Sequence, residues 1–161
     1  LKPTLKRNKD KYDYKEAKIL IGNFCAYRER SHSEVRSRLY DYGLIKDDVE
    51  ELMMEMLQLG YLNEERYARA FVRGKYLHNY WGRQKIIQHL KQKQVSEQNI
   101  TLGLQEINDE DYLIRIRELL AKKQKEVKGA NAYEIKSKLA AYLIRKGYES
   151  ALVWDEIRRS Y

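Results

Sequence analysis

The chain has 161 residues, a formal charge of +8 and an apolar share of 43%, which allows one ordinary domain or a short array of units and excludes global disorder. A single proline, Pro3, and few glycines favour helix over sheet, and the lone Cys25 excludes an intrachain disulfide. No apolar run is long enough to span a membrane and no signal-peptide pattern is present, so a cytoplasmic setting is expected.

The basic leader, residues 1–13, lacks apolar periodicity and reads as an N-terminal arm. Ala17, Leu20, Ile21 and Phe24 then form a stripe that predicts a helix from about Tyr14 to Arg30. Ser31, with Glu34 three residues on, has the form of a capping box ahead of Val35 and Leu39. Gly43 ends that helix. Asp47 or Asp48 starts the next, which carries Val49, Leu52, Met53, Met56 and Leu57 and ends at Gly60.

The second group opens with Asn63 as a cap, and Ala68, Phe71 and Val72 bury its first helix. Asn79–Gly82 breaks the pattern before Ile86, Ile87 and Leu90, and Ser96 caps a helix with Ile100, Leu104 and Ile107. The third group begins near Asp109 with Leu113, Ile116, Leu119 and Leu120. Asn131 and Glu134 repeat the capping signal before Ile135, Leu139, Tyr142 and Leu143. Val153, Trp154 and Ile157 close the chain.

These groups share one pattern. Val35, Leu39, Gly43 and Val49 recur as Ile86, Leu90, Gln94 and Ile100, and again as Leu139, Leu143, Gly147 and Val153. A repeat of this kind predicts an all-α protein: an elongated, curved array of three tandem three-helix repeats over 14–62, 63–107 and 108–161. Such an array offers long faces rather than one deep catalytic pocket.

Catalytic chemistry is thin. His32, His78 and His89 are scattered, no thiol cluster exists, and no glycine-rich phosphate loop is present, so neither a metal site, a cofactor nor an enzymatic activity is expected. Adjacent acids such as Asp47 and Asp48 point to different sides of a helix and favour its N-terminal dipole.

Binding is the stronger reading. Residues 66–95 hold eight Lys and Arg and no carboxylate, whereas seven acids precede them in 44–65. Arg28, Arg30, Arg36 and Arg38 flank the second helix of the first group. Arg73, Lys75, Arg83, Lys85, Lys91 and Lys93 occupy the second group, and Lys136, Lys138, Arg145 and Lys146 the third. Cations at matching elements suit a surface that meets phosphates or carboxylates, with Tyr80 and Trp81 as aromatic contacts or as packing between units.

The run Ala26-Tyr27-Arg28-Glu29-Arg30-Ser31-His32-Ser33-Glu34-Val35 resembles the bacterial RecX regulatory family. So do Leu59-Gly60-Tyr61-Leu62-Asn63-Glu64-Glu65-Arg66-Tyr67-Ala68, Tyr80-Trp81-Gly82-Arg83-Gln84-Lys85-Ile86 and Leu143-Ile144-Arg145-Lys146-Gly147-Tyr148. The likeness spans about residues 14–160. It implies tandem three-helix units without catalysis, in a monomeric cytoplasmic modulator of the RecA recombinase, usually an inhibitor. The partner it implies is the RecA–single-stranded DNA filament, with weak direct DNA binding and consequences for recombination and the SOS response. A general nucleic-acid-binding helical module is the alternative that the charge alone supports. Two departures stand out. Gln94 replaces a glycine, so that turn is expected to lack a left-handed cap, and Trp81 interrupts the glycine-containing approach to Arg83.

Overall fold

The computed structural model describes residues 11–161. The first ten residues of the basic arm lie outside the described residues. Nine helices occur among the described ones, arranged as tandem three-helix repeats. They are α1 (Tyr14–Tyr27), α2 (His32–Asp41), α3 (Lys46–Gln58), α4 (Glu64–Asn79), α5 (Arg83–Gln92), α6 (Glu97–Leu104), α7 (Asp109–Gln124), α8 (Ala132–Arg145) and α9 (Ser150–Ser160).

Local chemistry sets many of the helix starts. At α2 the Ser31 hydroxyl accepts the Glu34 N–H at 3.1 Å, and the Glu34 carboxylate accepts the Ser31 N–H at 3.0 Å, completing the capping box. Asn63, Ser96, Asn108 and Asn131 each accept a backbone N–H from the first turn that follows. The Asn131 cap departs from the box, because Glu134 accepts the Ala130 N–H at 2.7 Å. At α3 no side chain caps the start, and Asp47 and Asp48 sit in its first turn. The α1 helix stops at Tyr27 rather than Arg30: Arg28 turns to extended backbone, and the Arg30 guanidinium folds back to donate to the Phe24 carbonyl at 3.0 Å.

The threefold pattern is a pattern of burial. Val35, Leu39 and Val49, then Ile86, Leu90 and Ile100, then Leu139, Leu143 and Val153 are all buried. The third position of the pattern is a backbone requirement. Gly43, Gln94 and Gly147 have φ of 87°, 59° and 101°, so the left-handed turn forms at Gln94 even without a glycine. The expected loss of that cap is therefore corrected: Leu90 and Val95 are buried on either side of the turn, and their packing outweighs the strain of a left-handed glutamine.

By compactness the described chain divides into two units, and the division falls within α4. The first contains residues up to 67 with 93–95. Helices α1, α2 and α3 pack mutually there around Ala17, Ile21, Val35, Leu39, Val49, Leu52 and Met56. Cys25 belongs to this core, and burial pushes its thiol pKa up. Tyr12, from the end of the arm, donates its N–H to the Tyr42 carbonyl at 2.9 Å and meets the Tyr42 ring edge-on.

The second unit comprises residues 68–92 and 96–161. Its α7, α8 and α9 pack mutually, and α5 packs on α6. A Cβ at Gly103 would stand 3.1 Å from the Ala68 carbonyl carbon, so a residue without a side chain lets α6 approach α4. A tyrosine column runs through this unit. The Tyr112 ring stacks on Tyr76 with centroids 6.1 Å apart and tilts against Tyr148 at 5.2 Å. Gly82 fits directly against the Gly147–Tyr148 backbone, its N–H donating to the Lys146 carbonyl at 2.8 Å, and Gln84 N–H donates to the Gly147 carbonyl at 2.9 Å. Gly82 is thus a contact point, not only a turn.

Candidate functional site

The sequence-predicted cations fall into two sets. One set is bonded inside the fold. Arg30 is buried, with its guanidinium 3.7 Å from the Phe24 ring centroid. Burial lowers its pKa, but a guanidinium remains charged. Arg36 reaches Glu50 of α3 through Nε at 3.0 Å and a second nitrogen at 3.4 Å. Arg83 lies 4.0 Å above the Tyr112 ring and bonds both Glu149 and Asp109. Arg73 meets Glu106 at 2.9 Å, Lys93 meets Glu34 at 3.1 Å, and Lys138 meets Glu134 at 3.2 Å.

Five cations of the acid-free run 66–95, Arg66, Arg69, Arg73, Arg83 and Lys93, are therefore paired with acids from other segments. Glu29, Glu34, Glu106, Asp109 and Glu149 supply the carboxylates. A charge run along the sequence does not translate into a bare cationic face.

The second set lacks such partners. Among the described residues, Arg28, Arg38, Lys75, Lys85, Lys91, Lys136, Arg145 and Lys146 make no recorded ion pair with a carboxylate. In the first unit, Arg38 lies 4.5 Å over the Phe24 ring, near Arg30 and the exposed Arg28. In the second, Lys75 and Lys85 lie 4.8 and 4.5 Å from the Trp81 ring centroid. Trp81 also meets His89 at 4.5 Å and the Phe71 edge at 6.5 Å. Burial, then Lys85 and Lys75, holds the His89 pKa below its usual range.

Tyr80 takes a left-handed backbone at φ 57°, accepts the Tyr148 hydroxyl at its carbonyl, and lies under the Arg115 guanidinium at 4.6 Å. Its ring remains exposed.

Lys85, Lys138, Arg145 and Lys146 converge with Lys123 and Tyr142 on one concavity of about 590 Å³. Lys123 and Lys146 lie 4.7 and 5.7 Å from the Tyr142 ring centroid. Burial first, and then Lys85 and Lys122, lowers the Lys146 pKa. Lys122, Lys123 and Arg115 are not among the cations that the sequence pattern singles out. The run Lys122-Lys123-Gln124-Lys125 was visible, but its relation to α8 depends on packing. No group of three or more His, Cys, Asp or Glu able to hold a metal occurs among the described residues. No helix among them is long and apolar enough to cross a membrane.

Residues 63–104 match the family model for the RecX second three-helix domain, and residues 109–157 match that for the RecX third three-helix domain. The two matches follow in order and together take in more than half of the chain. The chain belongs to the RecX family.

Regulatory protein RecX of Amycolatopsis mediterranei (strain U-32) is 24% identical over 145 residues, covering 90% of this chain and 83% of that relative. Regulatory protein RecX of Bacillus cytotoxicus is 28% identical over 131 residues, covering 81% of this chain but 48% of its own length. The chain thus spans about half the length of some RecX relatives. The crystal structure of RecX from Lactobacillus salivarius superposes with a TM-score of 0.83 at 18% identity, covering 91% of this chain and 95% of that one. This likeness establishes the RecX fold, to which the tandem helical groups conform.

Proposed function

We propose that this chain is a non-catalytic regulator of the RecA recombinase. It binds the RecA–single-stranded DNA filament and inhibits its extension or activity, thereby modulating recombination and the SOS response. The ordered RecX-domain matches over 63–104 and 109–157 carry this reading. The accompanying units are assigned to 14–62, 63–107 and 108–161.

Arg28, Arg38, Lys75, Lys85, Lys91, Lys136, Arg145 and Lys146 are the preferred partner-facing cations, because no carboxylate among the described residues pairs with them. Arg30, Arg36, Arg73, Arg83, Lys93 and Lys138 contribute field, while their side chains also maintain the helices. Phosphate or carboxylate binding requires available donors, which the cations without a carboxylate partner supply.

The test titrates the full chain into RecA-coated and naked single strands and follows DNA-dependent ATP hydrolysis by RecA. Tighter binding to the coated strand and falling hydrolysis are expected, with no ATP turnover by the chain itself. Equal or tighter binding to naked DNA, without any effect on RecA, would make the chain a general nucleic-acid-binding module. Arg145→Ala with Lys146→Ala should weaken filament binding while preserving helical content.

A further inference from the structure

The concavity beside α8 concentrates more charge than a surface needs for solubility. Lys85 comes from α5, Lys123 from α7, and Lys138, Arg145 and Lys146 from α8. No carboxylate among the described residues lines this concavity. Glu126 and Glu134 pair with Lys123 and Lys138 at 3.1 and 3.2 Å, leaving Lys85, Arg145 and Lys146 without an acidic partner among the described residues. Like charges gathered from three helices around one hollow repel; burial first, and then Lys85 and Lys122, lowers the Lys146 pKa. A multivalent anion would relieve that repulsion and use the available N–H donors together.

We propose that this concavity is a binding site for a short polyphosphate group, carried either by a nucleoside triphosphate or by inorganic tripolyphosphate. Geometry favours a compact anion over an extended single strand. The cations converge from three helices around one hollow, whereas a strand spreads its phosphates along a line. Tyr142 is already approached over its ring by two ammonium groups, so it is a poor platform for stacking a base. Arg145 supplies a planar fork and the lysines supply movable point charges, a combination suited to several neighbouring phosphate oxygens. Lys85, Arg145 and Lys146 are also among the cations proposed to face the filament, but this inference concerns the isolated chain and does not require RecA regulation.

The test is calorimetric titration of the full chain with tripolyphosphate, ATP, orthophosphate and pentathymidylate at fixed salt. Tripolyphosphate and ATP should bind within a few-fold of each other and about tenfold or more tighter than orthophosphate. Similar affinity for both indicates that the polyphosphate itself is recognised; a marked preference for ATP would identify the nucleotide as the source. The combined Lys123→Ala, Arg145→Ala and Lys146→Ala variant should lose about tenfold or more in tripolyphosphate affinity. Lys11→Ala, Lys15→Ala and Lys46→Ala together should leave it nearly unchanged, although the charge removed is equal.

On the wild-type chain, tripolyphosphate should also protect Lys85, Lys123 and Lys146 from an amine-reactive label more than Lys11, Lys15 and Lys46. That readout requires no substitution and remains decisive if the triple variant unfolds. Equal affinity for orthophosphate, an equal loss in the control variant or absence of local protection overturns the proposal. Tighter pentathymidylate binding that competes with tripolyphosphate overturns it in favour of a strand site. Loss of RecA inhibition with intact polyphosphate binding would reject the regulatory reading alone.

Discussion

Gln94 and Gly147 hold equivalent left-handed turns with unequal chemistry. A side chain at positive φ carries strain, while glycine carries a larger entropy in the unfolded chain. Gln94→Gly should therefore raise stability by roughly 0.5–1 kcal/mol, measured by urea unfolding. Gly147→Ala should lower it by about 2 kcal/mol or more, because the new methyl meets Lys85 as well as an unfavourable φ. The repeat located this position, but only the backbone shows that glutamine can occupy it. Tyr112 was less legible. The apolar spacing points to Leu113 for the buried stripe, whereas the core follows Tyr112, Ile116 and Leu120. Tyr112 donates its hydroxyl to Glu149 at 2.6 Å, and burial, reinforced by that carboxylate, drives its pKa upward. No local periodicity reports a partner on another helix. Glu156 is similarly hidden: it is buried on α9, where Arg117 from α7 depresses its pKa. Its ionised form stabilises the fold at neutral pH, and this contribution falls as pH drops below the usual glutamate range of about 4.3 and through the lower folded pKa. Glu156→Gln should flatten that acidic limb in a stability-versus-pH series.

At the scale of the helix, the caps were more legible than the charges. A hydroxyl or amide before an apolar stripe acts within one turn, so Ser31, Asn63, Ser96 and Asn131 could be read without knowing the packing. Ser31 is fully buried, and its oxygen also lies 3.1 Å from the Ser33 hydroxyl. Ser31→Ala should cost about 1–2 kcal/mol in denaturant unfolding, since it removes the first-turn acceptor that forms the side-chain half of the capping box. The cations resisted such a reading. Arg36 and Arg83 look alike along a basic sequence, but one is clasped to Glu50 and the other to Asp109 and Glu149. Partners 14, 26 and 66 residues away decide whether these charges are available to another molecule.

At the scale of the whole chain, the three-helix groups were visible from their repeated apolar positions, while compact division places residues from the second and third groups in one unit. The tyrosine column and the Gly82–Gly147 approach explain that grouping. A fragment ending at Ile107 would lose Tyr112, Gly147 and Tyr148, leaving Tyr76 and Gly82 without those contacts. It should lose hydrogen-exchange protection in α5 and α6 and self-associate more readily than the full chain, as measured by exchange and light scattering. The two tryptophans fall on opposite sides of this cut, Trp81 before it and Trp154 after it. Trp81→Phe leaves an emission signal from α9, and Trp154→Phe leaves one from the entrance to α5. Matching denaturation curves from these two colour reporters would reveal a single melting event, whereas separated curves would show that the shared tyrosines join two clocks without synchronising them.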